Sequence, residues 1–137
     1  MLFRSRNNDT DEVNEQIIMA KFVYYNNDFS NTGNPNNATD YYNYLDGIWK
    51  DGSYLFYGGT GYQTASHDTC DFMFPGDSDP KHYGTKGVDP GFDWSEVEPE
   101  PGASPNNPSD RRFLQSAGKF TLQPGAINYI TRLPKND

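Results

Sequence analysis

A mainly β fold is what this sequence predicts: a small antiparallel, sandwich-like domain with one short helix near residues 40–46 and long loops rich in Gly, Pro and Asn. Three observations carry that expectation. Apolar runs are short and are punctuated by Gly, Pro, Asn and Asp, a spacing that suits strands and turns better than long helices. The chain holds 13 Gly and 10 Pro among 137 residues, and neither type sits well inside a regular helix. Phe, Leu, Ile and Val together make 24 residues, under a fifth of the chain, which with a net charge of -8 borders on a disordered composition. Ten Tyr and two Trp compensate, because each aromatic ring buries a large area. The core is therefore expected to be aromatic.

Residues 1–14 read as a polar tail, within which Met1–Ser5 resembles translated sequencing adapter and is set aside as an artefact. A single β-rich domain is expected over 15–133, followed by a tail at 134–137. Its first strand runs from Ile18 to Tyr25, where Phe, Val and Tyr favour extended structure, and an Asn- and Gly-rich loop follows to Ala38. Thr39 can cap a helix over Asp40–Asp46, with Gly47 stopping it. Tyr41, Tyr44, Leu45 and Ile48 then share one face, and Asn43 and Asp46 the other. Asp51-Gly52 suits a two-residue type I′ hairpin turn, with Trp49 meeting Tyr54 or Phe56 across it. Tyr41 to Tyr57 is the densest aromatic stretch and reads as core, leaving the loops from Gly58 to Trp94 as the place where a partner is recognised. Cys70–Phe74 reads as a short strand ended by Pro75-Gly76. Residues 95–109, E-V-E-P-E-P-G-A-S-P-N-N-P-S after Ser95, read as a flexible Pro-rich insertion. Arg112–Ser116, Lys119–Leu122 and Ala126–Thr131 complete the set as three short strands.

Four of these segments carry a resemblance: F-V-Y-Y-N-N-D from Phe22, Y-Y-N-Y-L-D-G-I-W-K-D-G from Tyr41, M-F-P-G-D-S-D-P from Met73, and D-R-R-F-L-Q-S-A-G-K-F-T-L-Q-P-G-A-I-N-Y-I-T from Asp110. In that order the chain resembles an internal region of large secreted or cell-surface proteins of Bacteroidetes, of the kind that end in a type IX secretion system sorting domain. The resemblance implies export and surface exposure and implies no chemistry. Lys119 departs from the proline usual there, and Arg132-Leu133-Pro134 stands where that region continues in apolar strand residues. The departures fit a truncated or frameshifted fragment, which would leave a strand edge uncovered.

The acidic balance argues against nucleic acid as a partner, because no basic stripe is present to displace counterions from phosphates. No run of about twenty apolar residues spans a membrane. One cysteine, Cys70, cannot form an internal disulfide and reads as a small buried apolar residue rather than a nucleophile. His67, Asp68, Asp71, Asp77, Asp79 and His82 cluster in sequence but follow no zinc or nucleophile pattern, and read first as solvated loop residues. Asp77 and Asp79 are the best candidates for a structural Ca²⁺, in competition with ordinary turn chemistry, since the full EF-hand pattern is absent. No other cofactor is expected. Glu96, Glu98 and Glu100 lie in the Pro-rich insertion, with nothing to hold a glycosidase separation. Arg111 and Arg112 suit pairing with nearby carboxylates.

Glycan binding is the sharpest alternative. Tyr57, Tyr62, Tyr83 and Trp94 neighbour Gly-rich loops, where a ring can stack on a sugar face while Asp or Asn accepts its hydroxyls; the competing role for each ring is core. The sequence thus points to a non-catalytic module, structural or adhesive, of a secreted bacterial surface protein. A carbohydrate-binding module is the alternative and a metal-dependent hydrolase fragment the remote one. The partners expected are other domains of the parent polypeptide, glycans or surface proteins.

Overall fold

A computed structural model describes the backbone of residues 2–7, 16–62, 68–119, 123–125 and 127–132, and the side chains of these except 2–7, 16–18 and 128–132. The chain divides into two compact units, Met1–Ala20 with Ser116–Asp137, and Lys21–Gln115, where the sequence suggested one domain. The fold is mostly non-helical, with antiparallel strands and one α-helix. A second sheet facing the first is not found among the described residues.

In the first unit, β1 (Leu2–Asn7) lies in the stretch that the sequence assigned to a polar tail. It pairs antiparallel with the start of β2 (Gln16–Asn26), Leu2 opposite Ile18. On its other edge it pairs antiparallel with β4 (Asn128–Arg132), Ser5 opposite Ile130. The expected strand over residues 119–122 falls largely outside the described residues.

The second unit is built around the remainder of β2. Its alternation puts Val23 and Tyr25 into the core and Phe22 and Tyr24 on the opposite face. There Phe22 stacks on Phe113 of β3 (Arg111–Ala117) with ring centroids 5.4 Å apart, and Tyr24 meets Phe74 at 5.8 Å. Val23, Tyr25, Tyr44, Trp49, Leu55, Tyr57, Cys70, Met73 and Trp94 form the buried core. Five of those nine are Tyr or Trp, as the scarcity of aliphatic residues demanded.

The helix, α1 (Ala38–Leu45), starts earlier than expected and its cap is Asn37, not Thr39. Asn37 is extended, and its side-chain oxygen accepts from the Asp40 N–H at 3.0 Å. The Asp40 carboxylate reaches back to accept from the Asn36 N–H at 2.9 Å. The pattern N-x-x-D resembles a capping box, but the carboxylate binds the residue before the cap rather than the cap itself, and it sits at the positive end of the helix dipole. Replacing Asn37 by Ala should cost about 1 kcal/mol, read as a lowered denaturation midpoint. The expected apolar face is also revised: Tyr44 is fully buried, but Tyr41, Tyr42 and Leu45 are exposed and the inward partner of Tyr44 is Asp40. The Tyr44 hydroxyl donates to the Gly33 carbonyl at 2.6 Å, and burial, with Asp40 nearby, pushes its pKa far above the usual tyrosine value.

The turn at Asp51-Gly52 differs in type. The Gly52 N–H donates to the Trp49 carbonyl at 2.9 Å and the Trp49 N–H to the Ser53 carbonyl at 2.8 Å, which closes a three-residue loop with Gly52 at φ 84. This matches a type I turn followed by a left-handed glycine. Asp51 decides between the two forms by accepting from both the Ser53 N–H and the Ser53 hydroxyl. Only a single bridge, Ile48 to Tyr54, flanks the loop. Tyr54 is exposed, and Trp49 packs edge-on to Tyr44 and Tyr62 rather than against Tyr54 or Phe56. Cys70–Phe74 likewise contributes one bridge, Phe72 with Phe22, rather than a strand, and Thr69 just before it bridges to Phe56. Phe74 sits at φ 49, which breaks any continuing ladder.

The Pro-rich insertion is tied down. The Gly59 N–H donates to the Pro99 carbonyl at 3.0 Å, the Asn106 N–H to the Glu96 carbonyl at 2.9 Å, and Pro99 is buried. Proline supplies acceptors without needing donors, so the segment is held by its carbonyls and by Asn106.

Candidate functional site: an aromatic and amide-lined cleft

A cleft of about 380 Å³ opens within the second unit, between β2, the loop after it, the Gly59–Tyr62 turn and residues 106–111. Trp49 and Met73 contribute to its lining, and Trp49 is fixed there by an indole N–H bond to the Gly61 carbonyl at 2.9 Å. Gly61 stands at φ 75, and a Cβ there would lie 2.8 Å from Leu55 Cδ1 and 3.2 Å from Trp94 Cη2, so the turn beneath the cleft requires glycine.

One side of the cleft carries Tyr62. Its hydroxyl donates to Asp51 Oδ2 at 2.6 Å and accepts from Asn31 Nδ2 at 3.1 Å, while its ring stands edge-on to Trp49 at 6.2 Å. These contacts set the ring's orientation before any ligand arrives. The bonds from Ser53 and Tyr62 hold the Asp51 carboxyl below the ordinary carboxylate range. Thr32 lies on the adjoining loop, which is closed by the Asn26 N–H bond to the Thr32 carbonyl and by Asp28 accepting from Ser30.

The facing side carries Asn106, Asn107 and Arg111. Asn106 Nδ2 donates to the Gly59 carbonyl at 3.2 Å. Arg111 forms an ion pair through Nε with Glu96, donates to Asn26 Oδ1 at 3.0 Å, and lies 5.6 Å above the centre of the Phe74 ring. Burial, then the Glu96 charge, raises the Tyr24 phenol above the ordinary tyrosine range. The lining as a whole offers aromatic rings, hydroxyls, amides and one guanidinium. Such groups can stack on a ligand's apolar face and hydrogen-bond to its polar atoms.

Of the four aromatics singled out from sequence, only Tyr62 lines this cleft. Tyr57 and Trp94 are core residues, 5% and 0% exposed, with their rings 5.2 Å apart. The Tyr57 hydroxyl donates to the Phe92 carbonyl and accepts from the Trp94 N–H, and the Trp94 indole donates to the Gly59 carbonyl. Their polar atoms are satisfied inside the protein, which removes them as stacking platforms. Tyr83 is 53% exposed in a short 3-10 turn, and it is not part of the cleft.

Asp77 is exposed, whereas both oxygens of Asp79 are used on the chain itself, accepting from the N–H groups of Tyr83 and Gly84 at 2.9 and 2.7 Å. Asp71 is paired with Lys21 at 2.5 Å, and His67 lies outside the described residues. Among the described residues, no group of three or more His, Cys, Asp or Glu side chains is placed to hold a metal. Cys70 is buried, and burial followed by the neighbouring Asp71 pushes its thiol well above the ordinary cysteine range. Iodoacetamide at pH about 8 should therefore modify native Cys70 far more slowly than a free thiol of pKa ~8.5. Mass spectrometry should show full modification once the protein is unfolded in guanidinium.

Trp49, Tyr24, Tyr25, Asn26, Thr32, Thr60, Asn106, Asn107 and Arg111 join Tyr62 at the cleft without having been singled out as ligand-binding residues. The one available signal was the Asn106-Asn107 pair between Pro105 and Pro108, amides in a setting where proline limits their freedom. Among the described residues no helix is long and apolar enough to cross a membrane. No protein-family model, no curated protein and no solved structure matches the chain.

Proposed function

We propose that this chain is a non-catalytic, saccharide-binding adhesive module of a secreted bacterial surface protein, built on a sandwich-like frame. The observation that carries the reading is the cleft: a ring clamped at Tyr62, amides at Asn26, Asn106 and Asn107, and hydroxyls at Thr32 and Thr60 converge on one space. Rings cover the C–H face of a sugar while amides and hydroxyls satisfy its hydroxyl groups, and neither role requires proton transfer. The resemblance of Phe22–Thr131 to an internal region of type IX secreted proteins supports the surface location.

A glycan array with the purified protein tests the reading. Binding to at least one saccharide is expected, and it should be lost in Tyr62→Ala and weakened in Asn107→Ala while the thermal transition of each variant is retained. Binding to no saccharide, or binding that survives both changes, would overturn it.

A further inference from the structure

We infer that the cleft selects uncharged saccharides and rejects those bearing a carboxylate or sulfate. This rests on the saccharide-binding reading and narrows it. Among the described residues Arg111 is the only charged side chain in the lining, and its charge is already answered by the Glu96 carboxylate within the protein. The Arg111 side chain is 17% exposed and its partner 45%, so the cation is the more enclosed member and shows a ligand little free charge. Further carboxylates adjoin the lining: Asp51 on the Tyr62 hydroxyl, and Asp110, next to Arg111, accepting from Asn27 Nδ2 at 2.6 Å. Lys50, next to Trp49, holds its ammonium on the Asn34 carbonyl at 3.1 Å.

The local field is thus set by the carboxylates of Glu96, Asp51, Asp110 and Asp28 against Arg111, Lys50 and Arg112, the last of which donates to Asn34 Oδ1 at 3.3 Å, within a chain of net charge -8. An anionic ligand meets repulsion both in the cleft and over the whole surface. A neutral sugar meets amides, hydroxyls and rings at no such cost. The size adds a second constraint, because about 380 Å³ is near the lower end of ligand clefts, roughly 300–1,000 Å³. A space of that size holds one or two sugar units.

Matched pairs make the test: methyl glucoside with methyl glucuronide, methyl galactoside with methyl galacturonide, and cellobiose with its uronic acid counterpart. Each is titrated calorimetrically at low and high salt. The neutral member of the preferred pair is expected to bind at least about tenfold tighter at low ionic strength, and the ratio should shrink as salt shortens the Debye length below about 10 Å. In Glu96→Gln the amide still accepts from Arg111 while the compensating charge is gone, so the ratio should fall toward one. An acidic member that binds as tightly as its neutral partner overturns the charge selection and leaves saccharide binding standing. A wild-type ratio indifferent to salt also overturns it, and that readout does not depend on the variant folding. Failure of every compound in the series, together with an empty glycan array, overturns both.

Discussion

Replacing Trp94 with alanine is expected to lower the stability of the second unit by about 3–5 kcal/mol, a large share of the about 5–15 kcal/mol that a small domain has in hand. The side chain is fully buried, with ring contacts to Phe74 at 4.9 Å and Tyr57 at 5.2 Å. Its indole N–H donates to the Gly59 carbonyl at 3.0 Å, and its backbone N–H holds the Tyr57 hydroxyl at 3.1 Å. Alanine keeps the backbone bond and removes the rest. The cavity is bounded by Gly61, whose position no residue with a side chain can fill, so collapse around it is limited. Trp94→Phe separates the two components: the ring remains, the indole donor goes, and a loss of about 0.5–1.5 kcal/mol is expected. Chemical denaturation followed by near-ultraviolet circular dichroism reads both variants. A Trp94→Ala protein with an unchanged midpoint would mean that this residue does not anchor the core.

The second large effect is on binding. Tyr62→Ala should reduce affinity for the preferred saccharide by more than about tenfold, a change of about 1.4 kcal/mol, with only a small change in melting temperature because the ring is partly exposed at the edge of the core. Tyr62→Phe keeps the ring and cuts the hydroxyl from Asp51 and Asn31. A two- to tenfold loss is expected, corresponding to a hydrogen bond of about 0.5–1.5 kcal/mol. The pH dependence follows from the same clamp. The folded protein holds Asp51 below its ordinary value, so the contribution of the clamp is complete above the unfolded carboxyl pKa of about 3.9 and is lost as pH falls through the lowered value. Binding should be flat between pH about 5 and 8 and decline only in stronger acid. A decline centred near neutrality would assign the effect to another group.

Much of the fold was legible because it followed from local chemistry. The strand ending in F-V-Y-Y-N is β2, extended by a residue or two at each end, since period-two burial and β-favouring residues agree there. The helix was legible in place but not in register, because Asn37 and Thr39 are both competent caps. What distinguished them is that Asn37 accepts from the Asp40 N–H while the Asp40 carboxylate accepts from the Asn36 N–H. The turn type at Asp51-Gly52 was not legible: the dipeptide suits both loop lengths, and side-chain bonds from Ser53 to Asp51 chose the longer one. The Pro-rich segment was read as flexible because its composition lacks donors, yet its carbonyls accept from Gly59 and Asn106. Composition does not register acceptors that find donors far along the chain.

The candidate site shows the same division. Amino-acid content alone determined that this chain must build its core from Tyr and Trp and that its one cysteine stands without a disulfide partner in the chain. Only the tertiary structure decided which rings serve the core and which face a ligand. Tyr57 and Trp94 look like Tyr62 in sequence, each beside glycines, but a ring's exposure depends on what other segments lay over it. Phe92 and Phe74 cover Tyr57 and Trp94, whereas over Tyr62 the chain leaves the cleft, and Asp51 and Asn31 hold its hydroxyl at one edge.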